Sequence, residues 1–346
     1  MIASLYPIGQ FALLLLVLIL SVLGTYFYER FAKQRGIIAK VNSRSLHTKM
    51  IPKGGGIVFA LLFAATSLIL GALGKIPGWI YLGLGLGGGV AALFGFMDDI
   101  YEVSPKKKLI AQFCLSAWSF VTLYRPIYAA FFQNMPTGMN LIIAALILLL
   151  PIWFINIYNF IDGIDGLAIT AATFICIAAL VILRLTGGDA IFIFIFSLLA
   201  SGGLGFLFFN LPPAKVFMGD SGSIFFGYSI ITLALATVIR KQISIWTWIA
   251  ILGYVLGDTT VTNLFRLIYV KKWYGAHRSH AYQNLARIYG SHARVTYGIA
   301  LYHLGWALPC ALWSALKPNW APVAALIAVG PPMVWTWHFG PRFSRE

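Results

Sequence analysis

The chain has 346 residues, of which 60% are hydrophobic and only 10% are charged, and its mean hydropathy is +0.84. Soluble domains usually carry about 25% charged residues, so this composition excludes an ordinary soluble protein. The formal charge of +15 does not indicate nucleic-acid binding, because the basic residues flank apolar segments instead of clustering in a nucleic-acid-binding fold. Anionic membrane lipids and anionic substrates are the expected partners, and no nucleic acid is expected.

Long apolar windows run through the whole sequence. A helix that crosses the hydrocarbon core of a bilayer needs about 20 apolar residues. The sequence therefore predicts an all-α, polytopic integral membrane helix bundle of about 10–11 transmembrane helices, built as a single domain over residues 1–346. The windows lie near residues 9–28, 54–73, 78–97, 108–124, 139–158, 166–183, 190–209, 222–239, 243–265, 295–313 and 320–338.

Charge on either side of the windows predicts the orientation. The first window has no Lys or Arg before it and is followed by Arg30, Lys33 and Arg35, the reverse of a cleavable signal peptide. We expect a retained helix with a periplasmic N-terminus. If the crossings alternate from there, one set of loops lies with the C-terminus on the opposite side of the membrane. In or next to these loops are 19 of the 25 Lys and Arg residues, so the positive-inside rule makes that side cytoplasmic. These loops are 29–53, 98–107, 159–165, 210–221 and 266–294.

Nine of the ten acidic residues fall at or near this cytoplasmic side. Ionisable groups at the ends of membrane helices are functional candidates, because they are costly there without water, a partner or a metal. Carboxylate oxygens suit a hard cation, and Mg²⁺ is commonly held by one or two carboxylates together with substrate phosphates. Three clusters are therefore candidates to meet at one divalent cation: Asp98 with Asp99, Asp162 with Asp165, and Asp220.

The stretch NIYNFIDGIDG repeats a polar residue at every third position, including Asn159, Asp162 and Asp165. Glycines at Gly163 and Gly166 predict that the helix breaks here into a loop lining a polar cavity. A plain capping turn between two helices is the alternative. It accounts for one aspartate but not for the whole polar set.

The other two acidic clusters also allow structural interpretations. Asp98 and Asp99 point about 100° apart on a helix, which predicts different roles. A solvated loop before the lysines at 106–108 is the alternative. Asp220, in MGDSGS, is either an N-cap of the following helix or part of a phosphate or metal site, and the two interpretations are compatible.

The longest basic loop contains His277, Arg278 and His280. Histidine and arginine together suit phosphate binding, since arginine makes forked contacts to phosphate. The remaining histidines are interpreted as structural: His47, His292, His303 and His338.

A membrane carrier is the alternative from another functional class. Ion-coupled carriers bind ions on charged and broken helices near the bilayer midplane, often in two related halves. Here the charged groups gather at one face and no related halves are visible. An enzyme acting at the membrane surface fits this distribution better.

Five stretches occur in the order HTKMIPKGGG, MDDIYEVSPKKK, NIYNFIDGIDGLA, FFNLPPAKVFMGDSGS and AHRSHAYQ, spanning residues 47 to about 283. In these stretches the sequence resembles the polyprenyl-phosphate N-acetylhexosamine-1-phosphate transferases. This integral membrane family starts peptidoglycan, common antigen, teichoic acid and O-antigen chains in bacteria. The resemblance implies an enzyme of the bacterial inner membrane with its active site on the cytoplasmic face.

The resemblance also implies roles for individual residues. Asp98 and Asp99 match the catalytic pair, and Asp220 matches the magnesium-ligating aspartate, with Asp162 or Asp165 as further ligands. Asn210 and Phe217 match the residues that hold and stack on uracil. The nucleotide and pyrophosphate site would include Lys49, Asn159, Asp162, Gly163, Asp165, Asn210, Phe217, His277, Arg278 and His280.

The implied reaction transfers an N-acetylhexosamine-1-phosphate from a UDP-sugar to undecaprenyl phosphate and releases UMP. Mg²⁺ is the implied cofactor, Mn²⁺ a substitute, and a homodimer an expected assembly. The run from His277 to Gln283 lacks the consecutive histidines of peptidoglycan-starting members and resembles the O-antigen-initiating, WbpL-like branch of lipopolysaccharide synthesis. UDP-GlcNAc or a 6-deoxy relative such as UDP-FucNAc would be the donor. Another envelope polymer, such as common antigen, teichoic acid or peptidoglycan, is the alternative product.

Overall fold

The computed structural model describes residues 7–39, 50–133, 135–270 and 278–344. These residues form helices and connecting turns, with one isolated antiparallel bridge between Ile38 and Pro52, which confirms the predicted all-α class. The principal helices are α1 (Pro7–Arg35), α2 (Gly56–Ala72), α3 (Gly78–Tyr101), α4 (Pro105–Thr122), α5 (Thr137–Asn159), α6 (Leu167–Thr186), α7 (Ala190–Asn210), α8 (Gly219–Ile239), α9 (Ile245–Ile251), α10 (Gly253–Tyr269), α11 (Ala281–Tyr289), α12 (His292–Leu316) and α13 (Ala321–Phe339).

Seven helices in the described ranges are long and apolar enough to cross a membrane: α1, α3, α5, α6, α7, α8 and α12. The chain therefore has the features of a multi-pass membrane protein. The predicted 10–11 crossings are not confirmed by this criterion, for local reasons. The window at 54–73 forms a helix of 17 residues, and the window at 243–265 is divided at Leu252 between α9 and α10. The last window contains Pro331 and Pro332 inside α13.

Helix α8 is the centre of the bundle and packs against α2, α3 and α5. Glycines allow its backbone to approach its neighbours closely. A Cβ atom added to Gly56 would lie 2.4 Å from the Cα of Gly222, and one added to Gly95 would lie 2.2 Å from the carbonyl oxygen of Asp220. Because close packing of small residues brings helix backbones together in membranes, the end of α3 meets the start of α8.

The remaining helices surround this centre. Helix α7 packs between α1 and α6, while α10 and α13 pack against each other on the other side of the bundle. Large apolar side chains stay exposed along α1 and α5, including Phe11, Phe27, Leu141 and Leu146. An apolar outer surface of this kind is expected where helices face lipid.

The predicted helix break at residues 159–166 is confirmed. Helix α5 ends at Asn159, and Gly166 adopts a left-handed φ of +73° immediately before α6. Glycine takes this conformation without steric cost. The intervening loop lies against α11, because the Tyr282 hydroxyl donates to the carbonyl of Phe160 at 2.7 Å.

Candidate active site

The buried carboxylate of Asp99, near the end of α3, caps the first turn of α8. Its two oxygens accept hydrogen bonds from the backbone N–H groups of Asp220 and Ser221, each at 3.1 Å. A carboxylate at a helix N-terminus satisfies free N–H groups and is stabilised by the helix dipole. Asp99 therefore joins two helices that carry site residues.

Asp98, one position earlier, has different partners. Its Oδ1 accepts a hydrogen bond from Val103 N–H at 2.8 Å, and its Oδ2 forms an ion pair with Lys108 Nζ at the start of α4. The same Nζ lies 3.4 Å from Oδ2 of Asp220. Lys108 thus bridges Asp98 and Asp220, and the two adjacent aspartates make separate sets of contacts, as their positions on a helix predict.

Asn159, the last residue of α5, holds Asp220 from the other side. Its Nδ2 donates to Asp220 Oδ1 and to Ser223 Oγ, both at 2.7 Å. The Asp220 side chain keeps 29% of its surface exposed. Its carboxylate is therefore oriented by Asn159 and Lys108 yet remains accessible.

Two of these residues, Asp99 and Asp220, border a cavity of about 340 Å³. Its wall combines both signs of charge with an amide and an aromatic ring, a composition suited to a ligand that carries phosphate groups and a planar base. Among the residues lining it are Lys53, Asp99, Asp162, Gly163, Asn210, Phe217, Asp220, Arg278, Gln283, Arg287 and His292.

Asp162 stands in the loop between α5 and α6, beside other carboxylates. Burial raises the pKa of its carboxyl group well above the ordinary value, and the negative charges of Asp220 and Asp99 raise it further. Like charges in a confined site disfavour ionisation of each carboxyl group. A cation bound among them would relieve this repulsion.

Asp165 is engaged differently from Asp162. Its Oδ2 accepts a hydrogen bond from Ala214 N–H at 3.0 Å, and its Oδ1 lies 3.1 Å from Nδ1 of His292. The nearby Asn210 side chain is also used within the protein, since its Oδ1 accepts from Gly166 N–H at 3.1 Å. The hydrogen bonds of both residues hold the loops around the cavity in place. The contacts of Asp165 are with Ala214 and His292, and not with Asp220 or its partners.

The structure places the residues of the predicted basic loop in different surroundings. Arg278 lines the cavity, whereas His280 is buried at the start of α11, 3.7 Å from Asp258 Oδ1 and packed beside the ring of Phe160. Lys49 and His277 lie outside the described residues.

Three charged or polar residues of the cavity have no role predicted from the sequence: Lys53, Gln283 and Arg287. The spacing of Gln283 and Arg287 could have indicated a shared role, because residues four positions apart lie on the same face of a helix, here α11. His292 was interpreted as structural. It reaches the cavity because α12 begins next to the loop that carries Asp165.

A divalent cation such as Mg²⁺ needs oxygen ligands, which carboxylates and phosphates provide. In the ranges that the structure describes, no three His, Cys, Asp or Glu side chains are grouped as a complete metal site. Asp162 and Asp220 nevertheless line one cavity, and two carboxylates with substrate phosphates suffice for Mg²⁺. The residues therefore fit a site that the substrate completes.

A bundle of apolar helices with a charged cavity at the helix ends is the architecture of a multi-pass membrane protein with a site for a polar ligand. The model for glycosyl transferase family 4 matches residues 81–238. A phospho-N-acetylmuramoyl-pentapeptide-transferase of Caldanaerobacter subterraneus is 32% identical over 243 residues, covering 66% of this chain and 75% of the relative. The chain belongs to glycosyl transferase family 4, among the polyprenyl-phosphate hexosamine-1-phosphate transferases, which confirms the resemblance at this level.

Two other relatives carry different names. A probable undecaprenyl-phosphate N-acetylglucosaminyl 1-phosphate transferase of Bacillus subtilis is 29% identical over 271 residues, covering 78% of this chain and 75% of the relative. A decaprenyl-phosphate N-acetylglucosaminephosphotransferase of Mycolicibacterium smegmatis is 30% identical over 242 residues, covering 64% of this chain and 58% of the relative. The family thus includes relatives named for different sugars and lipids.

Proposed function

We propose that the protein transfers an N-acetylhexosamine-1-phosphate from a UDP-sugar to undecaprenyl phosphate and releases UMP. The observation that carries this proposal is the cavity in which Asp99, Asp162 and Asp220 face the same space as Arg278 and other basic residues. Basic side chains suit a diphosphate, and carboxylates suit a cation bound to it. The names of the relatives support a phosphosugar and a polyprenyl phosphate as the substrates.

The donor would lie with its diphosphate between the two charged walls. Arg278, Arg287 and Lys53 would bind the phosphate oxygens, and the ring of Phe217 would stack on the base. Such contacts hold the reacting phosphorus in position, which is the largest part of catalysis in phosphoryl transfer.

Mg²⁺, or Mn²⁺ in its place, would be held by Asp220 and Asp162, and would stabilise negative charge on the transferred phosphate and on the departing UMP. Asn159 orients the Asp220 carboxylate through its hydrogen bond of 2.7 Å. Outer contacts of this kind fix a ligand in the geometry that the metal needs.

Lys108 would receive the acceptor phosphate. It already bridges Asp98 and Asp220, so its ammonium group stands beside the carboxylate proposed to hold the cation. A phosphate monoester has a second pKa of about 6, so an oxygen of the lipid phosphate is ionised at neutral pH and needs no strong base. This oxygen attacks the sugar-bound phosphorus, a new P–O bond forms, and the bond to UMP breaks with its electron pair leaving on UMP.

A double displacement through a phosphorylated aspartate is the alternative chemistry for the pair at 98 and 99. Asp99 is committed to two backbone N–H groups and Asp98 to Lys108 and Val103. These contacts support positioning rather than nucleophilic attack. A phosphorylated aspartyl peptide isolated after adding UDP-sugar without lipid would overturn the single displacement.

The donor and the pathway are narrower proposals. UDP-GlcNAc or a 6-deoxy relative such as UDP-FucNAc would be the donor, and O-antigen or related lipopolysaccharide the product pathway. The run from His277 to Gln283, which lacks consecutive histidines, supports this branch. Synthesis of common antigen, teichoic acid or peptidoglycan is the alternative.

The topology is also proposed. The end of α3 and the start of α8 meet at the cavity, and the positive-inside rule assigns this end to the cytoplasm, where UDP-sugars are available. The N-terminus would then be periplasmic and the C-terminus cytoplasmic, in a protein of the bacterial inner membrane with about 10–11 crossings. A homodimer is the proposed assembly, since closed two-fold dimers are the commonest oligomers.

The test uses the full chain, purified in detergent, with undecaprenyl phosphate and either UDP-GlcNAc or a 6-deoxy UDP-N-acetylhexosamine. UMP release is followed with Mg²⁺ and with a chelator, and Asp220→Ala is compared with Asp189→Ala, an exposed acid outside the site. We expect magnesium-dependent release that only Asp220→Ala abolishes. Absence of release from every donor, with lipid binding retained, would favour a membrane carrier instead.

A further inference from the structure

A histidine and an aspartate from distant parts of the chain form a pair at the cavity wall. His292, at the start of α12, lines the cavity. Its Nδ1 lies 3.1 Å from Oδ1 of Asp165, and the two side chains expose only 12% and 5% of their surfaces. A carboxylate beside one ring nitrogen helps to fix the orientation of an imidazole.

Asp165 is itself rigidly held. Its Oδ2 accepts from Ala214 N–H at 3.0 Å, and its backbone carbonyl accepts from Thr296 Oγ1 at 2.7 Å. Thr296 lies one turn after His292 on α12. The aspartate is thus attached to α12 and to the loop before Phe217 at the same time.

These attachments locate the pair within the cavity. The loop that Asp165 holds at Ala214 leads directly to Phe217, and the adjacent Gly166 N–H donates to Asn210. Phe217, Asn210 and His292 all line the cavity. The wall near this pair therefore offers the ring of Phe217 and the imidazole of His292, whereas Asp220 is tied to Lys108 and, through it, to Asp98.

We propose that His292 binds the nucleoside half of the UDP-sugar and that Asp165 is the positioning residue that orients it. The proposal rests on the proposed function, because that function supplies the nucleotide. An aromatic ring beside neutral hydrogen-bonding groups suits a base and its ribose, and the charged groups suit the diphosphate. This role differs from the metal ligation that the sequence predicts for Asp165.

The shorter contact of His292 Nδ1 is to the carboxylate, at 3.1 Å, and the longer is to Asp165 N–H, at 3.4 Å. Both contacts of Asp165 are with Nδ1, so Nε2 is the ring nitrogen that would contact the nucleoside, as a donor or as an acceptor. Its partner in the nucleoside is then either a ribose hydroxyl or a polar group of the base. The two sources are separable, because 2′-deoxy-UMP lacks one hydroxyl and keeps the base.

The experiment measures the affinity of the full-length protein for UMP and for 2′-deoxy-UMP by calorimetry. One hydrogen bond lost without compensation corresponds to about a tenfold change in affinity. We expect His292→Ala to weaken UMP binding roughly tenfold, Asp165→Asn to weaken it several-fold, and His292→Gln to restore part of the loss. Asparagine still accepts the hydrogen bond from Ala214 but lacks the charge that orients the imidazole.

Thr296→Val removes one support of the Asp165 backbone and leaves the carboxylate and imidazole intact, so it should weaken UMP binding less than Asp165→Asn does. His338→Ala is the control, since His338 is an exposed histidine outside the cavity, and it should keep the wild-type affinity for UMP. In turnover assays His292→Ala should raise the KM for the UDP-sugar while the KM for undecaprenyl phosphate stays the same. A loss for UMP but not for 2′-deoxy-UMP assigns the contact to the 2′-hydroxyl, and an equal loss for both assigns it to the base or the remaining hydroxyl.

Unchanged UMP affinity in folded His292→Ala, or a weakening by Thr296→Val as large as that by Asp165→Asn, would overturn the pairing. A change confined to the KM for the lipid would also overturn it. These results are distinct from failure of the proposed function, in which the wild-type protein releases no UMP from any donor.

Discussion

Asp99 and Gly219 are in direct contact across the junction of α3 and α8. A Cβ atom added to Gly219 would lie 2.6 Å from both carboxylate oxygens of Asp99, and Gly219 has a left-handed φ of +71°. Space and backbone conformation therefore both require glycine at this position. The contact also sets where Asp220, the next residue, enters the cavity.

Gly219→Ala should accordingly destabilise the protein and abolish UMP release. A side chain in the left-handed region costs about 1–3 kcal/mol, and the added methyl group would displace Asp99 from the first turn of α8. The thermal unfolding midpoint in detergent and the turnover rate report the two effects. Gly298→Ala is the control, because a Cβ there contacts nothing within 4 Å, and it should keep full activity. Wild-type stability and turnover in Gly219→Ala would contradict this account.

Lys108→Met should lower kcat by about 100-fold or more, the size expected when a charge that stabilises the transition state is removed. The change removes the ammonium group between Asp98 and Asp220 but keeps the apolar stem. Lys107→Met provides the comparison, since Lys107 is an exposed neighbour on the same turn, and should stay within about twofold of wild type. If the two variants lost kcat equally, the positive charge of the segment, and not the bridge from Lys108 to Asp98 and Asp220, would account for the effect.

Asn159→Ala should increase the Mg²⁺ concentration needed for half-maximal activity by about tenfold, because removal of a group that orients a metal ligand commonly costs 10–100-fold in metal affinity or activity. The alanine no longer donates the hydrogen bond of 2.7 Å to Asp220. A magnesium titration of UMP release measures the change. Asn140→Ala is the control, because it removes hydrogen bonds to Phe132 and Met135 and not to a site residue. It should leave the magnesium titration unaltered. If Asn159→Ala also gave the wild-type titration, Asn159 would not orient the metal ligand.

The raised pKa of Asp162 predicts a pH dependence of stability. A carboxyl group whose pKa is higher in the folded state favours folding below its unfolded pKa, about 3.9, and this contribution is lost as the pH rises through the folded value. In a chelator, wild-type stability should fall with rising pH, and Asp162→Asn should become progressively more stable than wild type. The unfolding midpoints would be compared from pH 4 to pH 8.

Asp189→Asn is the control for this series, since Asp189 is exposed at the start of α7. It should reproduce the wild-type slope. If Asp162→Asn also kept that slope, burial and the charges of Asp220 and Asp99 would not raise the pKa of Asp162.

Much of the candidate site was predictable because its residues sit at the boundaries of apolar windows. Asp98 and Asp99 mark the end of α3, Asn159 the end of α5, and Asp220 the start of α8. The pattern of apolar and polar residues along the chain locates such helix ends well. It does not show which side chains contact each other. The contact of Asp165 with His292 and the burial of His280 beside Asp258 therefore could not be predicted from the sequence.

The sequence by itself determined the class of structure: apolar windows of helical length fix an all-helical membrane protein, because hydropathy acts segment by segment. Only the tertiary structure decided which polar groups share one cavity. Asp99 bonds to Ser221 across 122 positions of the chain, and Asp165 bonds to His292 across 127. Such meetings depend on how glycine-lined helix faces pack together, which is a property of the assembled bundle and not of any one segment.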